Sequence, residues 1–229
     1  GGLTVRNAGG LVTLGTLGTS ASGPVTITSS QNGVLFNADA TVSTLTITST
    51  AAGKSILFAD GYLVRIGTLT AAAAGYNVDI RSSTFSVIND TNFLNTGSLT
   101  LGNSATDSLT FAGGLGAVSQ SGITLAGGLQ TTNTQIDIGN FTLTAAATID
   151  SGIAAASVIN LAAVNMAGFD LILDSGTNSA AALSVTSLTA TGTAKLTVRE
   201  AGSFSVSGPV SVPVVELRGI TGAASFGGN

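Results

Sequence analysis

The chain has 229 residues, a net charge of −4 and only 8% charged residues, against roughly a quarter in ordinary soluble domains. Its hydrophobic content of 44% excludes simple disorder, which needs low hydrophobicity and high charge. Seven basic residues spread over the whole length do not make the cationic footprint that phosphate backbones require, which excludes nucleic acid as a partner.

In chain order, short alternating segments recur from end to end. They begin with Val25-Thr-Ile-Thr, Thr44-Leu-Thr-Ile-Thr, Ser55-Ile-Leu-Phe, Tyr62-Leu-Val-Arg-Ile and Asn77-Val-Asp-Ile. Phe85-Ser-Val-Ile, Ser98-Leu-Thr-Leu, Ser108-Leu-Thr-Phe, Gly122-Ile-Thr-Leu, Gln135-Ile-Asp-Ile and Phe141-Thr-Leu-Thr follow. Phe169-Asp-Leu-Ile-Leu, Leu183-Ser-Val-Thr, Lys195-Leu-Thr-Val, Phe204-Ser-Val and Val210-Ser-Val complete the series. Period-two alternation over about four to six positions predicts strands. The outward partners are mostly Thr and Ser, which suit a solvated strand face.

Between the strands lie turn groups rich in Gly, Asn and Asp. Examples are Gln31-Asn-Gly, Asn89-Asp-Thr-Asn, Gly113-Gly, Gly127-Gly, Asp150-Ser-Gly, Asp174-Ser-Gly and Glu200-Ala-Gly. These residues tolerate the left-handed conformations of tight corners. The Ala runs at 71–74, 145–147 and 154–156 are too short to stand as helices, and read better as small residues at crowded corners. The most apolar window, 153–167, is interrupted by Ser157, Asn160 and Asn165, so no membrane-spanning helix is expected. There is no Cys, hence no disulfide and no thiolate metal site.

Strands at close spacing with no helix between them leave a sandwich, a barrel, a propeller or a solenoid. Degenerate internal likeness favours the last. AAGYNVDIRSS at 73–83 is similar to MAGFDLILDSG at 166–176, with GNFTLTAAA at 139–147 as a looser copy. The expected fold is therefore all-β, a parallel β-helix or β-solenoid, continuous over residues 1–229. Coils of about 20 to 30 residues would make roughly eight to eleven coils. An outer-membrane barrel predicts aromatic girdles and longer strands, and the chain is only 5% aromatic. Tandem sandwiches predict a linker near the middle, and there is none.

LTVRNAGG at 3–10 and LTVREAGS at 196–203 share six of eight positions, and SGPVTI at 22–27 is echoed by SGPVSV at 207–212. The paired echoes predict that residues 3 and 196 are equivalent places along a rod. They also predict that the sequence is one repeat or a fragment of a longer fibrous chain, with any secretion leader upstream.

The Thr-, Gly-, Ala- and Asn-rich strand stamps, such as GSLTLGN at 97–103 and DSLTFAG at 107–113, together with little charge and no Cys, resemble a known class. It is the β-helical repeat regions of large bacterial surface proteins, the filamentous-haemagglutinin-type adhesins and autotransporter passenger domains. The resemblance implies a right-handed parallel β-helix, export to the cell surface, and a role as adhesin, stalk or fibre. Expected partners are other copies of the chain, stacked end to end or side by side. Surface glycans are the alternative.

No catalytic, cofactor or metal residue is assigned. With no His and no Cys, the Ser-His and Cys-His nucleophile systems are absent. A polysaccharide-cleaving site would need paired carboxylates, and Asp79, Arg81 and Arg65 are the residues strands could bring together. Most other acids read as turn formers, and an enzyme is not expected. Gly113-Gly-Leu-Gly lacks the Asp of the calcium-binding nonapeptide, and Asn89-Asp-Thr-Asn reads as a turn rather than a calcium loop. An ice-binding face would need Thr at the same corner of successive coils. The runs Thr26/Thr28 and Thr44/Thr46/Thr48 recur at uneven intervals, so they read as solvated strand residues. Arg6 and Arg199 read as structural charges, Arg199 beside Glu200. The aromatics Phe36, Phe58, Tyr62, Tyr76, Phe85, Phe93, Phe111, Phe141, Phe169, Phe204 and Phe226 are expected as stacked core rungs.

Overall fold

A computed structural model describes residues 2–227. The described residues contain 25 strands and no helix. The strand pairings are parallel throughout. The chain winds as a β-solenoid of about 10 coils, each with three faces visited in the same order.

The first face starts at Leu3–Val5 and Val25–Ile27 and passes through the second halves of Ala40–Ile47 and Leu63–Ala71. It continues through Thr91–Asn92, Leu115–Ala117, Ile136–Ile138, the first halves of Ile159–Asn165 and Ala182–Thr189, then Ser203–Val206 and Ala224–Phe226. The second face begins with Val12–Leu14, Val34–Phe36, Ser55–Phe58, Asn77–Ile80 and Ser98–Leu101. The third holds Thr84–Val87, Ser108–Phe111, Leu171–Asp174, Lys195–Ala201 and Val214–Ile220, among others.

The alternation in sequence becomes in and out in space. Val25-Thr-Ile, Val34-Leu-Phe, Ile136-Asp-Ile and Phe204-Ser-Val each bury the outer pair and leave the middle residue part-exposed. Because the strands are parallel and in register, the buried residues of one coil lie on those of the next and form a continuous apolar column. Phe36 and Phe58 stack with ring centroids 4.6 Å apart, and Phe58–Phe85, Phe85–Phe111 and Phe93–Phe111 continue at 5.1, 5.8 and 5.9 Å. Tyr76 is fully buried, and its hydroxyl donates to the Ala72 carbonyl at 3.0 Å. Burial raises its pKa above the usual phenol value. Tyr62 and Phe169 depart from the expected core role, at 37 and 38% exposure, whereas Phe226 packs inward on Phe204. Tyr62 and Phe169 fall just before their strands rather than at inward positions within them.

Two expectations need correction. Strands are not uniformly four to six residues long: Phe141–Asp150 has 10 residues and Leu63–Ala71 and Gly122–Gln130 have 9. These run through a corner without losing strand geometry. The corner they cross changes along the axis. It is third to first face in Ala40–Ile47 and Leu63–Ala71, second to third in Gly122–Gln130 and Phe141–Asp150, and first to second in Ile159–Asn165 and Ala182–Thr189. Gly127 makes one such crossing, at φ 78°. A Cβ there would stand 2.5 Å from the Asp107 carbonyl oxygen, so only glycine fits.

The terminal echoes are the second correction. Leu3–Val5 lies on the first face, and the matching Leu196–Val198 on the third. Val25–Ile27 lies on the first face, and Val210–Ser211 on the second. Likewise Asn77–Ile80 and Leu171–Asp174, from the two similar eleven-residue segments, lie on the second and third faces. The likeness is local, a strand followed by a corner, and such a unit serves any face.

Candidate functional site

The acids mostly hold corners. Asp39 accepts from the Leu63 N–H at 2.9 Å, Asp107 from the Asn103 and Ser104 N–H groups at 2.8 and 2.9 Å, and Asp170 from the Lys195 N–H at 2.8 Å. Asp150 and Asp174 are in register in adjacent coils, and each accepts from the N–H two residues on, at 2.8 and 2.9 Å. In both corners the following serine donates inward, Ser151 to the Ser157 carbonyl at 3.0 Å and Ser175 to the Ala181 carbonyl at 2.9 Å.

Arg199 bridges these corners rather than pairing with Glu200. Its Nε donates to Asp174 at 2.5 Å and its Nη2 to Asp150 at 3.3 Å. The hydrogen bond to Asp174 leads in raising the Arg199 pKa. Arg81 pairs with Asp79 at 2.7 Å on the outside of the second face, whereas Arg65 stands on the third face, level with Ser86. The three residues considered for a cleavage site are therefore not brought to one face. In Asn89-Asp-Thr-Asn, Asn92 Nδ2 donates to Asp90 at 3.0 Å and Asn89 Nδ2 to Thr68 at 2.8 Å, so the Asp90 carboxylate is engaged within the turn itself. Among the described residues no three acidic groups converge as metal ligands.

The threonines stack more regularly than their sequence intervals imply. Thr4, Thr26, Thr46 and Thr70 follow one another in register on the first face, and Thr44 stands beside Thr68. Variable corner lengths absorb the uneven spacing. The row then changes to Asn92, Gly116, Asp137, Asn160 and Ser184, so the Thr face covers less than half of the rod.

Where that row changes, the surface opens into a groove of about 860 Å³ between the first and second faces. The first-face wall is a hydrogen-bonded ladder. Gln135 Nε2 donates to both Asp137 oxygens at 2.8 and 2.7 Å, Asn160 Nδ2 donates to Asp137 at 2.7 Å, and Ser184 Oγ donates to Asn160 Oδ1 at 2.7 Å. The opposite wall carries Asn140, Thr142, Asn165 and Thr189. Asn140 and Asn165 spend their carbonyl oxygens on the Ala163 and Ala167 N–H groups, at 3.1 and 2.9 Å. The floor is Gly139, Ala162 and Ala163. At one end lies Gln120, whose Nε2 donates to the Phe93 and Asn95 carbonyls at 2.8 and 3.0 Å. Its Oε1 is the one buried side-chain polar atom without a partner among the described residues. No motif in the sequence marks this groove. Its signal was present only as scattered Asn, Ser and Asp at strand centres, which register alone brings side by side.

The end coils form the other distinctive surfaces. Leu3 and Phe226 occupy inward positions, but with no described coil beyond them they are 38 and 49% exposed. Phe226 packs on Phe204 at 5.6 Å on one side only, and Leu217, level with buried Val198, is 36% exposed. A scan against protein-family models, a search of curated proteins and a search of solved structures each found no match.

Proposed function

We propose that the chain is a segment of a structural or adhesive fibre, built by stacking coil upon coil along the solenoid axis. The supporting observation is that the parallel strands run unbroken and in register through the described coils, so each coil is the template on which the next one stacks. Parallel strand edges are templates for further pairing, and Leu3, Leu217 and Phe226, in register with buried Val25, Val198 and Val206, carry the apolar column through the first and last described coils. The occupant we propose for each edge is another coil of the same kind. When the 229 residues stand alone, a second copy of the chain supplies it. Low charge, 8% of residues, supports lateral packing as well, since little repulsion opposes it. The resemblance of the strand stamps to bacterial surface β-helices supports a place outside the cell.

Sedimentation velocity over a hundredfold concentration range tests the reading. The intact chain should form longer species as concentration rises. Leu3→Lys with Phe226→Lys, which places a charge at each edge, should remain the size of one chain. A single species at every concentration for the intact chain, with circular dichroism showing native strand content, would overturn it.

A further inference from the structure

We propose that the groove between the first and second faces is a binding site for a neutral polysaccharide chain lying along the rod axis. The two walls are chemically complementary. On the first face the fixed acceptors are the Asp137 carboxylate and the unspent lone pairs of Ser184 and Asn160. On the second face the Asn140 and Asn165 carbonyls are engaged by backbone, which leaves both amide N–H₂ groups as donors without a protein acceptor among the described residues. A sugar hydroxyl donates and accepts at once, so a polyol between these walls satisfies both.

The wall geometry is set in advance. Asp137 is held by Gln135 and Asn160, so little ordering is required on binding. The floor of Gly139, Ala162 and Ala163 lets a ring approach the backbone. The repeat also fits. Asp137, Asn160 and Ser184 stand in register on successive coils, about 4.8 Å apart, close to the advance of one pyranose ring in an extended chain. The charge excludes the anionic class: the groove is lined by one carboxylate and no cation, so uronic or sulfated chains meet repulsion with nothing to offset it. This site lies on the flank of the rod and is independent of the edges that stack.

Calorimetric titration of the full chain with maltohexaose, cellohexaose, chitohexaose and mannohexaose, with polygalacturonate as the anionic comparison, tests the inference. At least one neutral hexasaccharide should bind and polygalacturonate should not. Asn140→Ala with Asn165→Ala should weaken that binding at least about tenfold. Gly122→Leu gives a second route: a Cβ at Gly122 meets nothing within 4 Å, so the side chain fills the groove's end without disturbing its walls, and binding should fall again. The edge-charged Leu3→Lys/Phe226→Lys chain should bind as the parent does, which separates this site from assembly. Absence of heat with all four neutral probes, binding only to polygalacturonate, or binding untouched by both groove variants would overturn the proposal.

Discussion

Asp150 and Asp174 stand on adjacent coils, and two carboxylates about 4.8 Å apart repel. Arg199 offsets this by donating to both. Arg199→Met should therefore cost about 1–2 kcal/mol, the range of a charge-assisted hydrogen bond discounted for a guanidinium that is 46% exposed. Urea unfolding measures this, and adding Asp174→Asn should recover part of the loss if repulsion is the cause. Deeper in, Phe58 touches Phe36 on one side and Phe85 on the other. Phe58→Ala should cost about 3–5 kcal/mol, concentrated in the coils around it because a solenoid's contacts are between neighbours. Hydrogen exchange should show protection lost near residue 58 and retained near residue 183.

At the scale of the strand, Val214–Ile220 is held to Lys195–Ala201 by register and by the Lys195–Glu216 ion pair. Glu216 accepts from Arg218 at 2.9 Å and from Lys195 at 3.1 Å. These hydrogen bonds, that of Arg218 first, hold the Glu216 pKa below the ordinary value. A depressed carboxyl contributes stability that is fully present above its unfolded pKa and is lost as pH falls through the folded one. Amide exchange of Val214–Ile220, corrected for intrinsic rates, should accelerate below about pH 4 and do so less in Glu216→Gln. Gly127→Ala should loosen the crossing in Gly122–Gln130, with exchange rising first at Asp107 and the residues beside it. Most strands were legible because alternation survives any coil length: Ser55–Phe58, Asn77–Ile80, Ser98–Leu101 and Ser108–Phe111 fall where the pattern put them. Strands such as Ile159–Asn165 were hidden because Ala162 and Ala163 carry them around a corner and break the alternation. The groove was hidden for a related reason. Asp137, Asn160 and Ser184 become neighbours only through register, and unequal corners conceal register in the sequence.

For the whole molecule, the three faces and about 10 coils make a rod on the order of 50 Å long at about 4.8 Å per coil. The terminal echoes do not mark equivalent places on it, so stacking follows from the in-register ladders and the continuous apolar column and not from sequence repetition. An edge that accepts a coil should accept one from any copy, because each face presents the same backbone ladder and a similar apolar column. Electron microscopy of the purified chain at rising concentration tests this most directly. Rods of constant width whose lengths grow in steps of about 50 Å are expected, with an axial reflection near 4.8 Å when they are aligned. Uniform particles about 50 Å long at every concentration would contradict it.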